Sequence, residues 1–341
     1  MAPAHPGDDD ALAQGLSRWL AHHRGLADPE VGNLSRPRAG YSAETVFADL
    51  TVTAGCDGPR LEHLVVRMAP LEAASFAHYD LVPQWQAQMA AARVGVPVAD
   101  PVLETDPSWV GAPFILMPRV DGHIVSALAH RDRWLGTFTP EERGRIHDGL
   151  LGTLAAIHRA DPAAAPAVPR RDNRAELDHW EEYLSWSTDG RPVPALSRAL
   201  GWCRRHCPAD EPAGALLWGD VRLENMVLDD EGRPRAVLDW DMTSIGAPEH
   251  DLAWLTSLDL TMHALFGART EGFPDRDGTV ARFEAVSGRS VRDLEWYETL
   301  AMVRSAAIMT RISVLRRDAG EPVMLPIEDN PILDLLTGRL T

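Results

Sequence analysis

At 341 residues the chain is long enough for a large hydrophobic core, and at roughly 100 to 200 residues per domain it is expected to form two lobes. With 45% hydrophobic and 24% charged residues, general disorder is excluded. The balance of 33 basic against 50 acidic residues, a net charge of −17, argues against nucleic acid and anionic membranes as partners and favours amine ligands only slightly.

No apolar run approaches the roughly 20 residues that span a bilayer. Three cysteines, Cys56, Cys203 and Cys207, with no secretory pattern at the start, lead to the expectation of a reducing, cytoplasmic setting. Cys203, His206 and Cys207 in CRRHC match no common zinc module and read as part of a helix face.

In chain order, MAPAHPGDDD is a loose terminus, and ALAQGLSRWLAHH has helical spacing at Leu12, Leu16, Trp19 and Leu20. These form an N-terminal segment, residues 1–33. From Leu34 the pattern turns to strands: ETVFADLTV and LEHLVVRM, separated by a Gly/Asp/Pro break, predict antiparallel hairpins. A helix is predicted over Tyr79 to Arg93, and the apolar run of GAPFILMPRVDG reads as a buried strand entering a connector that closes a first lobe at residue 120.

Residues 121–341 are mostly helical in pattern. Thr139, Pro140 and Glu142 spell a capping box, and Ile146, Leu150, Leu151, Leu154 and Ile157 line one face of the helix that follows. Further helices are predicted near Asn173 to Trp186, Ala195 to Cys207, His250 to Phe266, Thr279 to Val286 and Val291 to Arg317. The architecture expected is α+β and two-lobed, and the join between lobes is a favoured place for a ligand cleft.

WGDVRLENMVLDDEGRPRAVLDWD, from Trp218 to Asp241, carries the chemistry. Two short apolar runs flank DDEG, so Met226 to Trp240 is predicted to be a β-hairpin whose closing ends bring Asn225 and Asp239 to one small volume, with Asp220 overhanging Asn225. Asp229, Asp230 and Glu231 read as the wet tip. Asp220 and Asp239 follow apolar runs, where a carboxylate needs a partner. An amide oxygen and a carboxylate are hard ligands suited to Mg²⁺, and a separate carboxylate can orient and deprotonate an attacking hydroxyl.

The combined pattern G-D-x-x-x-x-N, hairpin, L-D-W-[DE] and G-x-P-x-x-D-L-A resembles the aminoglycoside phosphotransferase family. Its pieces are Gly219, Asp220, Asn225, Leu238, Asp239, Trp240, Asp241, Gly246, Pro248, Asp251, Leu252 and Ala253. The resemblance implies a protein-kinase-like fold with a small antiparallel-sheet N-lobe and a larger, mainly helical C-lobe. It implies Asp220 as catalytic base, Asn225 and Asp239 as holders of Mg²⁺, and Asp251 as a brace for the catalytic loop. Trp218 stands where the family commonly has His.

The same resemblance looks for nucleotide contacts in the first lobe. Gly40 and Ser42 lie in a turn that could cover phosphates, and Arg67 ends a strand where Lys is usual. Gln84 holds the place of the expected helix acid, and Met117, Arg119 and Val120 form the connector that could hold a purine. Substrate contacts are sought among Trp180, Glu181, Tyr183 and Trp186, with Asp259 and His263, each of which also reads as ordinary core or solvated surface.

The function expected is ATP- or GTP-dependent O-phosphorylation of a hydroxyl on a small molecule. The acceptor is open among an antibiotic of aminoglycoside, macrolide or nucleoside type, a choline- or homoserine-like metabolite, and a hydroxyacyl compound. The last is raised because the LDW-type motif with Trp218 in place of His resembles phosphotransferase branches associated with acyl-CoA metabolism. A nucleotide-binding module without turnover is the rival from another class.

Overall fold

A computed structural model describes residues 8–37, 43–52, 60–70, 75–188, 190–209, 214–267, 269–323 and 331–340. The chain divides into two compact units: Met1–Trp85 with Ala99–Val120, and Gln86–Val98 with Asp121–Thr341.

The first unit holds α1 (Asp9–Arg24), β1 (Glu30–Ser35), β2 (Glu44–Val52), β3 (Arg60–Met68), the start of α2 (Leu81–Ala92), β4 (Val102–Glu104) and β5 (Phe114–Pro118). The strands form one antiparallel sheet in the order β1-β2-β3-β5-β4. Alternation in β2 buries Val46, Ala48, Leu50 and Val52 on one face, as period-two patterning requires.

Helix α1 covers that face: Leu12, Leu16, Trp19 and Leu20 join Val46, Leu50, Leu64, Val66, Phe114 and Leu116 in one core. Gly15 permits the close approach, since a Cβ there would sit 2.3 Å from the Trp109 carbonyl oxygen. The other face packs Ile115 and Met117 against Leu81, Trp85 and Ala99. Covered on both sides, β5 is a continuous apolar run and does not alternate.

The second unit is mainly helical: α3 (Pro140–Ile157), α4 (Asn173–Ser187), α5 (Pro194–Arg205), α6 (Glu249–Phe266), α7 (Arg276–Ser287), α8 (Leu294–Asp318) and α9 (Pro331–Arg339). Its strands β6 (Ala215–Leu217), β7 (Met226–Leu228), β8 (Pro234–Val237) and β9 (Ser244–Gly246) pair as β6 with β9 and β7 with β8. The capping box is formed: the Thr139 hydroxyl accepts from the Glu142 N–H, and the Glu142 carboxylate accepts from the Thr139 N–H at 2.8 Å. Cys203 is buried in α5, where burial pushes its thiol up to about 12, so it is inert at neutral pH.

Glu298 of α8 is almost wholly buried and accepts from Thr256 Oγ1 of α6, Arg276 Nε of α7 and Arg339 Nη2 of α9, at 2.8, 2.7 and 2.6 Å. A buried carboxylate is tolerated when its lone pairs are filled in this way, and here it joins four helices. No described helix is long and apolar enough to cross a membrane.

Burial pushes three histidines, His147 of α3, His179 of α4 and His250 of α6, down to about 4. Their unfolded value is about 6.5, so as pH falls from about 6.5 towards 4 the unfolded chain takes up protons that the folded chain refuses. Stability conferred by the neutral rings is complete above that window and is lost on acidification through it. Urea midpoints measured from pH 7.5 to 4.5 are expected to fall, with a smaller fall in His147→Gln; a flat profile would contradict the burial of these rings.

Candidate active site

The site is built on the β7/β8 hairpin, in register Met226↔Val237 and Val227↔Ala236. Its tip corrects one expectation. Asp230 and Glu231 are exposed, but Asp229 is not merely a wet residue: its carboxylate accepts from the N–H groups of Glu231 and Arg233 and from Arg233 Nε, at 3.0, 2.8 and 2.8 Å. It shapes the turn and so fixes the register of both strands.

At the other end of the hairpin, the Leu238 N–H donates to the Asn225 carbonyl oxygen at 2.8 Å, which places the start of the 238–241 segment beside Asn225. The Asn225 amide nitrogen donates to the Asp220 carbonyl oxygen at 3.0 Å and to Asp220 Oδ2 at 2.8 Å. Trp254 Nε1 of α6 donates to Asp220 Oδ1 at 2.8 Å. Each oxygen of the Asp220 carboxylate is thus held by a neutral side-chain donor, which aims it without a close ion pair.

The loop carrying Asp220 is held from beneath by Asp251, in the first turn of α6. Its Oδ2 accepts from the Trp218 N–H at 2.8 Å and its Oδ1 from the Gly219 N–H at 2.9 Å, while His158 Nε2 lies 2.9 Å from Oδ2. Gly219 has φ +93°, and a Cβ there would meet the Met242 carbonyl oxygen at 2.2 Å, so this turn takes only glycine.

Trp218, fully buried, fills the place where His was expected. Its indole N–H reaches the carbonyl oxygens of Leu238 at 2.8 Å and Asp239 at 3.2 Å. Asp239 has φ +54°, a left-handed conformation uncommon outside glycine, and the indole secures its carbonyl.

Arg222 adds positive charge among these acids. It lies 2.5 Å from Glu224 Oε1 and 4.0 Å from Asp220 Oδ1. Burial alone would lower its pKa, but Asp220, Glu224 and Asp239 outweigh burial and keep it above the ordinary arginine value.

The residues present fit a magnesium ion. With its nitrogen committed to Asp220, Asn225 retains a side-chain carbonyl oxygen as a hard ligand, and Asp239 directly follows Leu238, whose N–H meets the Asn225 main-chain carbonyl. No cluster of three or more His, Cys, Asp or Glu that could hold a metal occurs among the described residues. A sparse oxygen set is what Mg²⁺ accepts when water and phosphate complete its shell.

The expected nucleotide contacts that are described belong to the first unit. Arg67 of β3 lies opposite Thr45 and Ile115, and its Nε donates to the Tyr79 hydroxyl at 3.1 Å. Met117 is buried, and the Arg119 N–H is committed to the His63 carbonyl oxygen at 2.8 Å. Val120 packs beside Met117, and Gln84 is buried in α2. Gly40 and Ser42 lie outside the described residues.

Among the residues considered for substrate, Trp180 is buried and donates to Glu176 Oε1 at 2.8 Å; Tyr183 is buried next to it, and Trp186 follows at 5.5 Å between rings. Glu181 is exposed and pairs with Arg204. Asp259 faces Arg269 at 3.7 Å, with burial raising its pKa, and His263 is exposed one helical turn further along α6.

Sequence reasoning missed Trp254, His158 and Arg304. Trp254 had a signal: it lies three residues after Asp251, on the same side of a helix. His158 and Arg304 had none, because each reaches the site from a helix distant in sequence.

Residues 33–288 match the family model described as "Phosphotransferase enzyme family". Among curated proteins, Acyl-CoA dehydrogenase family member 11 of Pongo abelii is 23% identical over 324 residues, covering 89% of this chain and 40% of the relative. Its Homo sapiens counterpart is 26% identical over 268 residues, covering 74% and 33%. The chain therefore spans 40% or less of the length of these relatives. A provisionally assigned aminoglycoside phosphotransferase of Ralstonia eutropha JMP134 superposes with a TM-score of 0.71 at 23% identity, covering 96% of this chain and 97% of that one. That likeness establishes the fold, α+β and kinase-like, as the motif had implied.

Gly219→Ala is expected to destabilise the protein by about 1–3 kcal/mol or more, through the forced left-handed conformation and the clash with Met242. Urea denaturation measures this, and an unchanged midpoint would show that the turn relaxes freely.

Proposed function

The chain belongs to the phosphotransferase enzyme family, and on that premise we propose that it transfers the terminal phosphoryl group of ATP or GTP to a hydroxyl of a small molecule, with Asp220 as the base. The observation that carries this reading is the Asp220 carboxylate, aimed by Asn225 and Trp254 on a loop that Asp251 holds.

In the proposed step the acceptor oxygen forms its bond to phosphorus as the bond to the nucleoside diphosphate breaks, and Asp220 takes the hydroxyl proton. Asn225 and Asp239 hold Mg²⁺, which when bound neutralises charge on the phosphate oxygens. Arg222, beside the base, adds a fixed positive charge near developing negative charge. Arg67, Gly40 and Ser42 are assigned to the phosphates, and Met117 and Val120 to the purine. Val120 takes the donor role in the connector because the Arg119 N–H is already used. Catalysis then rests on positioning and electrostatics, without a covalent intermediate.

For the acceptor we favour a hydroxyacyl thioester over an antibiotic. The support is that the curated relatives are named for acyl-CoA dehydrogenation, and that the chain matches only part of each. Likeness to an aminoglycoside phosphotransferase at 23% identity speaks for the fold and not for the substrate.

Coupled ADP and GDP release, with ³¹P NMR of products, is to be measured across hydroxyacyl-CoA thioesters, choline, aminoglycosides and macrolides. A phosphomonoester on a hydroxyacyl thioester is expected; nucleotide binding with no transfer to any acceptor would favour a binding module. Asp220→Asn is expected to lower kcat by about 10²–10⁴-fold while nucleotide still binds. Wild-type turnover in that variant would remove Asp220 as the base. Asp239→Asn is expected to weaken Mg²⁺-dependent nucleotide binding about tenfold or more, and equal affinity with and without the substitution would take it out of the metal site.

A further inference from the structure

Arg304 of α8 is a charge with few conventional partners. It is 4% exposed; its Nη1 lies 3.9 Å from Glu176 Oε1, and its Nη2 donates to the Gly219 carbonyl oxygen at 3.5 Å, both at the outer limit for such contacts. Its Nε is buried with no hydrogen-bond partner among the described residues. What it touches closely are aromatic rings: the guanidinium carbon sits 4.9 Å from the Trp254 ring centre and 5.1 Å from that of Trp180. A desolvated guanidinium over an indole contributes about 2 kcal/mol or more, so the rings are its main partners.

The surrounding bonds give this contact a direction. Glu176, buried in α4, accepts from Arg171 Nε at 2.6 Å and from Trp180 Nε1 at 2.8 Å, so the Trp180 ring is anchored from behind. Trp254 is anchored at one edge, where its N–H meets Asp220 Oδ1 at 2.8 Å. A single hydrogen bond fixes one edge of this buried indole, and a cation against its face adds a second restraint on the ring plane.

We propose that Arg304 is a positioning residue for Asp220: by holding the face of Trp254 it keeps the indole N–H on the carboxylate. The functional consequence rests on the reading of Asp220 as the base; the physical coupling between Arg304 and the Trp254–Asp220 hydrogen bond does not. Burial lowers the pKa of Arg304, in keeping with a desolvated cation whose charge is directed at π faces.

The test is ¹⁵N-indole NMR on the full chain. The Trp254 N–H signal is identified by its loss in Trp254→Phe, and Asp220→Ala supplies the reference for an indole without its acceptor. Arg304→Met removes the charge, and Arg304→Gln removes it while keeping a polar planar end, guarding against a fold lost to the first change. In the folded variants the Trp254 signal is expected to move towards its Asp220→Ala position and to exchange with deuterium about tenfold faster or more. A folded Arg304 variant with wild-type shift and exchange overturns the proposal.

Turnover is the second readout. With an acceptor in hand, kcat should fall about tenfold at unchanged KM for nucleotide and acceptor, and Trp254→Phe combined with Arg304→Gln should lose no more than Trp254→Phe alone. Additive losses would overturn action through Trp254. A wild type that transfers no phosphate, yet shows the NMR effect, would instead sink the phosphotransfer reading and leave the coupling established.

Discussion

One buried carboxylate governs the geometry of the candidate site. Asp251 is removed from water and must find donors, because an unpaired buried charge is far costlier than any single contact it makes. It finds two successive backbone N–H groups, those of Trp218 and Gly219, with His158 filling in beside them. Because the donors are main chain, the acid dictates the path of the loop and not merely the place of a side chain. Asp220 follows immediately, so its carboxylate inherits its position from the first turn of α6. The glycine requirement at position 219 is a corollary, since a loop drawn down this tightly leaves no room above Met242 for a Cβ.

Much of this was legible in the sequence because it is local. The hairpin is announced by two apolar runs around DDEG, the start of α3 by Thr139, Pro140 and Glu142, and the grouping of Asp220, Asn225 and Asp239 by short spacings across a turn. Helices α4 to α8 followed from apolar periodicity. What stayed hidden has a common physical cause. Strands β4, β6 and β9 are three residues long, too short for alternation to show. The docking of α1 on the sheet, the His158–Asp251 contact and the placement of Arg304 are all tertiary, and no local pattern encodes a partner on a distant helix. Trp254 lies between these cases, being visible by spacing from Asp251 but not by chemistry, since an indole in an apolar stretch reads as core.

The aromatic residues of the second unit show how one side-chain type can serve opposed purposes. Trp180, considered for a ligand, is spent on Glu176 and Arg304. Trp254, not considered, touches the base. Both bury large apolar surfaces, and the difference lies in where the single N–H of each ring points.

Trp218 and Asp239 extend that lesson to the segment at 238–241. The indole of Trp218 reaches the carbonyls of residues 238 and 239, whereas the proposed ligand is the Asp239 carboxylate. Shape and chemistry in this segment are therefore written in different residues. The side chain at 239 can change what is bound without redrawing the backbone, and the side chain at 218 can redraw the backbone without itself meeting the ligand. Replacing the indole at position 218 would thus release the carbonyls of residues 238 and 239 while leaving the Asp239 side chain itself unchanged.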